Sequence, residues 1–381
     1  MTASGNGRRA ATIDIFLFGY YGCGNVGDDL LLAVLLEKLL KSASNVRVKC
    51  LLAPDIPRDA RVTFLELEKI LADRSRRAPI RLGLFLIQIW KALRGVRSLI
   101  FGGGTLFHAS GGAPTNLLIL ASVAVLARLR GAKVAAIGVG VGKIRGFLPR
   151  ALLSAILRLS SDFAVRDRSS LDNCWGLGGS DKVRLTADLV FLYPLPPRTP
   201  ALRLHPTVGL ALAASAIGDN AFTLLDPVTG FVELLHVGGW EVVGLSFQEL
   251  EFQELRLSDS ALLQTVCRDR PAIPVRRLEV SGDRIAEAFS ALDVVVGMRF
   301  HALVLAARLG IPFVGVGRDI KLADLCRRYG FPFFELESLS PDDLLAAVEQ
   351  VRGSVPDLRV TMELAREATT NFANSENIFS S

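Results

Sequence analysis

Short apolar runs alternate with longer helix-like stretches along the chain, and a glycine-rich loop follows several of the runs. Residues 13–18 form the first run, and a helix is predicted from about residue 29 to residue 40. Runs at 98–101 and 134–137 are each followed by glycines and then by another predicted helix. Short apolar runs bounded by turn residues predict buried strands. Strands that alternate with helices predict a parallel sheet covered on both faces.

A proline-rich segment divides this pattern into two halves. Residues 194–200 contain four prolines in seven positions, which neither a helix nor a central strand tolerates. The alternation resumes beyond this segment, and the 381 residues exceed the usual size of a single core. We therefore predict two α/β, Rossmann-like domains with parallel sheets, 1–193 and 201–381, joined by a linker at 194–200 and separated by a cleft.

Charge is distributed unevenly along the sequence. Between residues 74 and 161 there is no Asp or Glu, whereas fourteen residues are Lys or Arg. Such a field attracts phosphorylated metabolites, anionic lipid headgroups or nucleic acid, and a basic surface without a partner is the alternative. Nucleic acid has the least support and is not predicted as a partner. The basic residues are not interleaved with aromatic ones, and no recognition motif is present.

Cysteine usage and hydropathy predict a cytoplasmic protein. The five cysteines are dispersed without a CxxC pair, which argues against a disulfide framework or structural zinc. The four histidines lack the HxH or HExxH spacing of metal ligands, so no metal site is predicted. No apolar stretch reaches the roughly 20 residues of a membrane span, and residues 1–12 lack the apolar region of a signal peptide.

The most informative stretch is 294–306, where an apolar strand ends at Gly297 and a helix-like segment begins. Arg299 and His301 lie between the two elements, at the kind of crossover where open α/β sheets place ligand groups. An arginine binds carboxylates and phosphates bidentately, and an imidazole exchanges protons near neutral pH. This pair predicts an anionic substrate and proton transfer.

A triple glycine marks a second candidate position. Gly102, Gly103 and Gly104 follow a predicted strand, with Thr105 directly after them and His108 in the same loop. Three consecutive glycines predict either a close approach of backbone to a ligand or a tight strand-to-helix turn.

The loop at 19–27 has the GxGxxG spacing of dinucleotide sites but lacks their chemistry. Asp28 and Asp29 occupy the start of the next helix, where they suit the helix dipole and would repel a pyrophosphate. We therefore predict a tight turn with a capped helix, with its glycines lining the cleft and Asn25 as a candidate substrate ligand, rather than a nicotinamide or flavin site.

Two further residues have two interpretations each. Arg166 follows a short predicted strand and is either an anion clamp or a solvated arginine at a helix start. Asp188 is either a base or a buried cap.

Together these motifs resemble those of the polysaccharide pyruvyl transferase family. The matching segments, which run from residue 13 to about 325, include the GYYGxGNxGDD-like opening at 19–29, the GGG turn at 102–104, the GVGVG segment at 138–142, the RD-S element at 166–169 and the GMRFHA element at 297–302. The Met-Arg-x-His-Ala element is the most specific of these, since many α/β enzymes share the glycine motifs.

The resemblance implies a GT-B-like fold and transfer of pyruvate from phosphoenolpyruvate to two hydroxyls of a sugar, with release of phosphate. It implies that Arg299 and Arg166 hold the donor, that His301 transfers the proton and that Asp188 supports it. The first domain would take the acceptor and the second the donor. Phosphoenolpyruvate is a co-substrate, and no cofactor is expected.

One departure from the family pattern leaves the acceptor-side base unassigned. Relatives carry an acidic residue soon after the triple glycine, whereas Ala109 takes the matching position here and His108 is the nearest titratable substitute. The expected acceptor is a cell-surface glycan or its lipid-linked precursor. The segment 79–93 with Trp90 either contacts an anionic membrane, at the inner face of the plasma membrane, or is an ordinary core-packing helix. A GT-B glycosyltransferase that uses a nucleotide sugar and a non-catalytic anion-binding protein are the alternatives.

Overall fold

Two parallel β-sheets, each with helices on its faces, form the two halves of the protein. The computed structural model describes residues 14–73, 75–109, 114–200, 204–214, 221–252, 255–266 and 273–374. Every strand pair within the two large sheets is parallel. The predicted α/β class with two parallel sheets is confirmed.

The first sheet is built from residues 14–185. Its strands are β1 (Asp14–Tyr21), β2 (Asn45–Cys50), β3 (Val62–Leu65), β4 (Ser98–Gly102), β5 (Lys133–Val139), β6 (Asp162–Val165) and β7 (Val183–Leu185), in the order β3-β2-β1-β4-β5-β6-β7. The accompanying helices are α1 (Val26–Leu39), α2 (Glu68–Ala72), α3 (Ala78–Ala92), α4 (Thr115–Leu129), α5 (Phe147–Leu159) and α6 (Arg168–Cys174), with 3₁₀ turns at Ser180–Lys182 and Leu189–Leu192.

The second sheet begins after the proline-rich segment. The strands of this half are β8 (Thr207–Ala211), β9 (Glu241–Ser246), the antiparallel hairpin β10 (Glu249–Phe252) and β11 (Leu255–Ser258), β12 (Val275–Arg277), β13 (Val294–Gly297), β14 (Phe313–Gly317) and β15 (Phe333–Glu335). The helices are α7 (Ala221–Val237), α8 (Asp259–Val266), α9 (Gly282–Phe289), α10 (Phe300–Arg308), α11 (Ile320–Tyr329), α12 (Pro341–Val351) and α13 (Leu358–Thr369), with 3₁₀ turns at Leu336–Ser338 and Thr370–Phe372. The sheet order is β12-β9-β8-β13-β14-β15.

Each sheet reverses its strand order beside its first strand. In the first sheet β1 lies between β2 and β4, and in the second β8 lies between β9 and β13. The connections that leave the two central strands therefore diverge to opposite faces and open a crevice at the carboxyl ends of the strands. The glycine loop after β1, the triple glycine at the end of β4 and the crossover after β13 all lie at such points.

The two domains share one continuous apolar core. Helix α1 and the turn Leu189–Leu192 of the first domain pack with α10 and α13. The Arg308 guanidinium of α10 also donates to the Val190 carbonyl at 2.9 Å, and the Asn371 amide donates to the Ala187 carbonyl at 2.9 Å. The C-terminal segment, which the sequence-based boundaries place in the second domain, thus lies against the first.

A backbone bridge joins the domains beside the start of α1. The Glu249 amide donates to the Gly24 carbonyl at 3.0 Å, and the Val26 amide donates to the Phe247 carbonyl at 2.9 Å. These bonds pair the glycine loop after β1 with the turn between β9 and β10. They fix the spacing of the two domains next to the cleft.

Candidate active site

A cleft between the domains collects most of the charged residues that the sequence singled out. Its volume of about 430 Å³ falls within the roughly 300–1,000 Å³ that is typical of small-molecule sites. The residues that line it include Tyr20, Asn25, Asp28, Gly104, Thr105 and Arg166 from the first domain, and Arg299, Phe300, His301, Arg318 and Lys321 from the second.

A buried carboxylate connects the two walls of this cleft. Asp188, which is 2% exposed, accepts a hydrogen bond from Arg166 Nη1 at 2.8 Å, and the same Oδ2 atom lies 3.6 Å from His301 Nε2. Its other oxygen accepts from the Val190 amide at 2.9 Å. Burial by itself raises the pKa of Asp188, but the charges of His301 and Arg166 and the amide hydrogen bond bring it well below its usual range. Asp188 therefore stays ionised and serves as both cap and counter-ion.

Arg166 is held in place from both sides. It follows β6, it is buried, and its Nη2 atom donates to Thr105 Oγ1 at 3.0 Å. Its guanidinium carbon lies 5.4 Å from the centre of the Phe300 ring. Its Nε atom is buried and has no hydrogen-bond partner among the described residues. Arg166 is thus a fixed cation, with Asp188 bonded to it and Asp167 Oδ2 3.8 Å from its Nε atom.

Arg299 is anchored by a carboxylate of its own domain. Its Nε and Nη2 atoms donate to the two oxygens of Asp259 at 2.9 and 2.6 Å, and Nη2 also donates to Gln248 Oε1 at 2.9 Å. Asp259 is fully buried, so this planar pair is rigid. Within the described residues Nη1 makes no hydrogen bond, and that edge of the guanidinium is the one available to an anion in the cleft.

The His301 ring reaches from the second domain to the start of α1 in the first. An alanine Cβ at Gly27 would lie 1.9 Å from Nδ1 of the imidazole. Since Nε2 is buried and directed at Asp188, both ring nitrogens face the first domain. The absence of a side chain at position 27 is what admits the ring.

The triple glycine mainly serves packing. A Cβ on Gly102 or on Gly103 would collide with side chains of α1. Gly104 is the member of the three that lines the cleft. Its φ is 66°, and a Cβ at this position would lie only 2.7 Å from Asp28 Oδ1. Thr105 lines the cleft directly after it.

Two other sequence candidates lie behind the lining of the cleft. His108 Nε2 is 3.3 Å from the Tyr20 hydroxyl, so His108 adjoins the cleft through that tyrosine. Burial lowers the pKa of His108. Gly297 ends β13 and lets Leu303 pack closely, because a Cβ there would lie 3.0 Å from Leu303 Cδ2. Substrate-binding roles for His108 and Gly297 stay predictions.

Several residues of the site were not recognised as such in the sequence. Asp28 was interpreted as part of a helix cap, and Gln248 and Asp259 hold Arg299 from 51 and 40 positions away. Lys321 lies with its Nζ atom 2.8 Å from Asp319 Oδ2 and 3.5 Å from Thr105 Oγ1 of the other domain. Its position at the start of a helix after a predicted strand was the one available signal.

The motifs and the cleft agree with a match between the chain and a family model. The model described as "Polysaccharide pyruvyl transferase" matches residues 25–320. The chain belongs to the polysaccharide pyruvyl transferase family. The matched range contains the cleft residues from Asn25 to Arg318, and Tyr20 and Lys321 lie just outside it. A comparison with curated proteins found no match.

Solved structures show which fold this pyruvyl transferase has. Similar structures include a putative UDP-N-acetylglucosamine 2-epimerase from Listeria monocytogenes (TM-score 0.59, 10% identity, 97% of each chain covered) and MnaA of S. aureus, solved with UDP (TM-score 0.62, 8% identity, 97% of this chain and 98% of that one). Another is the spinosyn rhamnosyltransferase SpnG (TM-score 0.52, 11% identity, 96% and 100% covered). At these identities the likeness shows the fold alone, and it confirms the GT-B-like architecture.

Replacing Gly27 by alanine is expected to displace His301, because the new Cβ would meet the ring at 1.9 Å. Overpacking of this kind costs about 1–3 kcal/mol in unfolding free energy. Gly83→Ala, within α3 and with nothing inside 4 Å of its Cβ, is the matched control and should stabilise by up to about 1 kcal/mol. Urea unfolding measures both, and a Gly27→Ala variant as stable as the parent would contradict the contact.

Asp188→Asn is expected to lower the unfolding free energy by about 3 kcal/mol at pH 7, since it removes the carboxylate that is hydrogen-bonded to the buried Arg166 and leaves Asp167 at 3.8 Å. The pKa of Asp188 is lowered in the folded state, so its contribution is present above about pH 4 and is lost as pH falls. The difference between parent and variant should therefore shrink in acid. Asp172→Asn, on an exposed ion pair, is the control and should change little. A difference that does not vary with pH would refute this assignment.

Proposed function

We propose that this pyruvyl transferase moves pyruvate from phosphoenolpyruvate to a sugar of a cell-surface polysaccharide, or of its lipid-linked precursor, and forms a ketal with release of phosphate. The observation that carries the proposal is the meeting of Arg166, Asp188 and His301 across the cleft. A cation, an ionised carboxylate and an imidazole held together there are suited to a small anion that must be protonated.

The donor's two anionic groups match the cationic wall of the cleft. Phosphoenolpyruvate carries a carboxylate and a phosphate on the same carbon, and planar guanidinium groups bind both kinds of anion bidentately. Arg166 and Arg299 are rigidly positioned and line the cleft, and Lys321 adds a point charge between the domains. We assign the donor to these three side chains.

His301 is the proposed acid. Protonation of the donor's methylene carbon leaves an oxocarbenium-like centre at the adjacent carbon, which a sugar hydroxyl can attack. The ionised Asp188 orients the imidazole and offsets the positive charge that the ring carries when protonated. Phosphate is then replaced by a second hydroxyl, which closes the ketal. The proposed reaction uses no redox cofactor.

His301→Ala is expected to lower turnover by about 10²–10⁴-fold, the usual contribution of a positioned acid. Arg299→Ala should weaken the binding of phosphoenolpyruvate and also lower turnover, since it removes one of the side chains that bind the anionic donor. The measurement is phosphate release from phosphoenolpyruvate with a panel of galactosyl, glucosyl and mannosaminyl acceptors. His236→Ala is the control, because His236 lies on α7 and bonds the Val232 carbonyl at 2.8 Å.

The same assay separates the alternatives. A non-catalytic anion-binding protein would lose affinity in Arg299→Ala and would be unaffected by His301→Ala. A glycosyltransferase would release nucleotide from a nucleotide sugar and no phosphate from phosphoenolpyruvate. Either outcome would overturn the proposed reaction.

We further propose that the first domain contacts an anionic membrane that carries the acceptor. Helices α3, α4 and α5 pack side by side, and their outer surface combines exposed apolar side chains with the acid-free basic segment 74–161. This basic-apolar face includes Ile80, Ile87, Trp90, Leu118, Val125, Leu129, Phe147 and Leu148. Helix α3 also buries Phe85 and Ile89, so it contributes to the core as well.

The composition of this face suits a position at the membrane interface. Exposed apolar residues enter the headgroup region, and Lys and Arg are attracted to anionic lipids. The Arg130 guanidinium lies 3.6 Å from the centre of the Trp90 ring, which places a charge directly at the aromatic anchor. Among the described residues no helix has the length and apolarity needed to span a bilayer. The proposed attachment is therefore peripheral, at the inner face of the plasma membrane.

We expect the protein to co-sediment with vesicles that contain phosphatidylglycerol and to remain in solution with phosphatidylcholine alone. Added salt should weaken the binding, because exposed charges are screened. Combined replacement of Trp90 and Phe147 by alanine should reduce it, whereas Trp175→Ala, at a tryptophan 77% exposed elsewhere, should leave it unchanged. Binding that does not depend on lipid charge or on salt would contradict the proposed role of the basic-apolar face.

A further inference from the structure

One carboxylate of the cleft has no part in the donor site described above. Asp28 lies in the first turn of α1 and lines the cleft. Its Oδ2 atom accepts a hydrogen bond from Asn25 Nδ2 at 2.8 Å. Its Oδ1 atom adjoins Gly104, where a Cβ would lie only 2.7 Å away. The carboxyl group is thus fixed between the helix cap and the triple-glycine turn.

The neighbouring Asp29 has a different position. It is 7% exposed, and its Oδ1 atom accepts from the Gly22 amide at 2.8 Å, which closes the glycine loop onto α1. Asp29 is accounted for by this local structure. Asp28 is the member of the acidic pair that faces the cleft, and helix capping by Asn25 leaves its carboxyl group available for another role.

The environments of Asp28 and Asp188 push their pKa values in opposite directions. Burial raises the pKa of Asp28, and the nearby charges of His301, Arg166 and Lys321 lower it by less than burial raises it. The same His301 and Arg166 charges hold the pKa of Asp188 down. Two carboxylates whose pKa values are shifted apart in this way can take different roles, one as a permanent counter-ion and one as a group that exchanges protons.

We propose that Asp28 is the base that accepts the proton of the attacking acceptor hydroxyl. The assignment rests on the proposed pyruvyl transfer and fills the acceptor-side position that Ala109 leaves open. Its geometric support is the shared cleft: His301 enters from the second domain and its ring lies against Gly27, the residue next to Asp28. Acid and base are therefore supplied by opposite domains at one place.

The proton balance of the reaction closes with these two groups. His301 gives a proton to the donor's methylene carbon, which becomes a methyl group. The first hydroxyl oxygen bonds to the adjacent carbon and passes its proton to Asp28. The bond from that carbon to the phosphate oxygen then breaks, the electron pair leaves with phosphate, and Asp28 returns its proton to it. The second hydroxyl closes the ketal and restores the proton of His301.

Asp28→Asn tests the assignment, because the amide keeps the size of the side chain and the contact with Asn25. We expect kcat to fall by about 10²–10⁴-fold and the affinity for phosphoenolpyruvate, measured by calorimetry, to change less than about threefold. In the parent enzyme kcat should decline on the acid side as the base is protonated, and this limb should disappear in the variant. Asp55→Asn, at an exposed carboxylate outside the cleft lining, is the matched control.

A second variant guards against a purely structural effect. Asp28→Ala should regain part of its turnover when formate is added, since formate replaces the missing carboxylate, whereas Asp28→Asn should not. An Asp28→Asn enzyme that keeps the acid limb, or that loses donor affinity in step with kcat, would overturn the role of Asp28. Failure of the parent enzyme to release phosphate from phosphoenolpyruvate with any acceptor would instead overturn the proposed reaction, so the two failures are distinct.

Discussion

The arrangement of the cleft depends on one buried negative charge. Asp188 is nearly inaccessible to water, and its Oδ2 atom has a cation from its own domain on one side and an imidazole from the other domain on the second. A carboxylate in such a place is strongly unfavourable unless it is compensated, and removal of one partner of a buried pair costs several kcal/mol. The requirement for charge compensation therefore adds to the apolar packing and the hydrogen bonds that join the two domains.

The apolar packing sets the geometry in which Arg166 and His301 compensate the charge of Asp188. The turn that carries Asp188 is covered by α1, α10 and α13, so the same core that joins the domains also sets the position of the carboxylate. His301 is in the first turn of α10 and Gly27 is in the first turn of α1. Two helix starts from different domains are thus held face to face by side chains that take no part in chemistry.

Local sequence patterns were sufficient for the fold class and named several residues that line the cleft, because strand ends, glycine loops and helix starts are encoded within short segments. Arg166, Thr105 and Arg299 each follow a predicted strand, and this is why each was a candidate site residue in the sequence. The grouping of Arg166 with Arg299 came from the family resemblance. The pairing of Arg299 with Asp259 depends on tertiary packing and left no local signal. The sequence left Gly102 and Gly103 open between a ligand contact and a tight turn, and in the structure their lack of a side chain gives room for side chains of α1.

The backbone bridge between the loop at Gly24 and the turn at Phe247 has a mechanical consequence. Two main-chain hydrogen bonds and a common core would have to break before the halves could swing apart at that edge, so wide hinge opening is energetically disfavoured. The contact of Lys321 Nζ with Thr105 Oγ1 at 3.5 Å is a further link between the domains across the cleft. A glycan acceptor would then meet a cleft that is already formed, and little of its binding energy would be consumed in reshaping the enzyme.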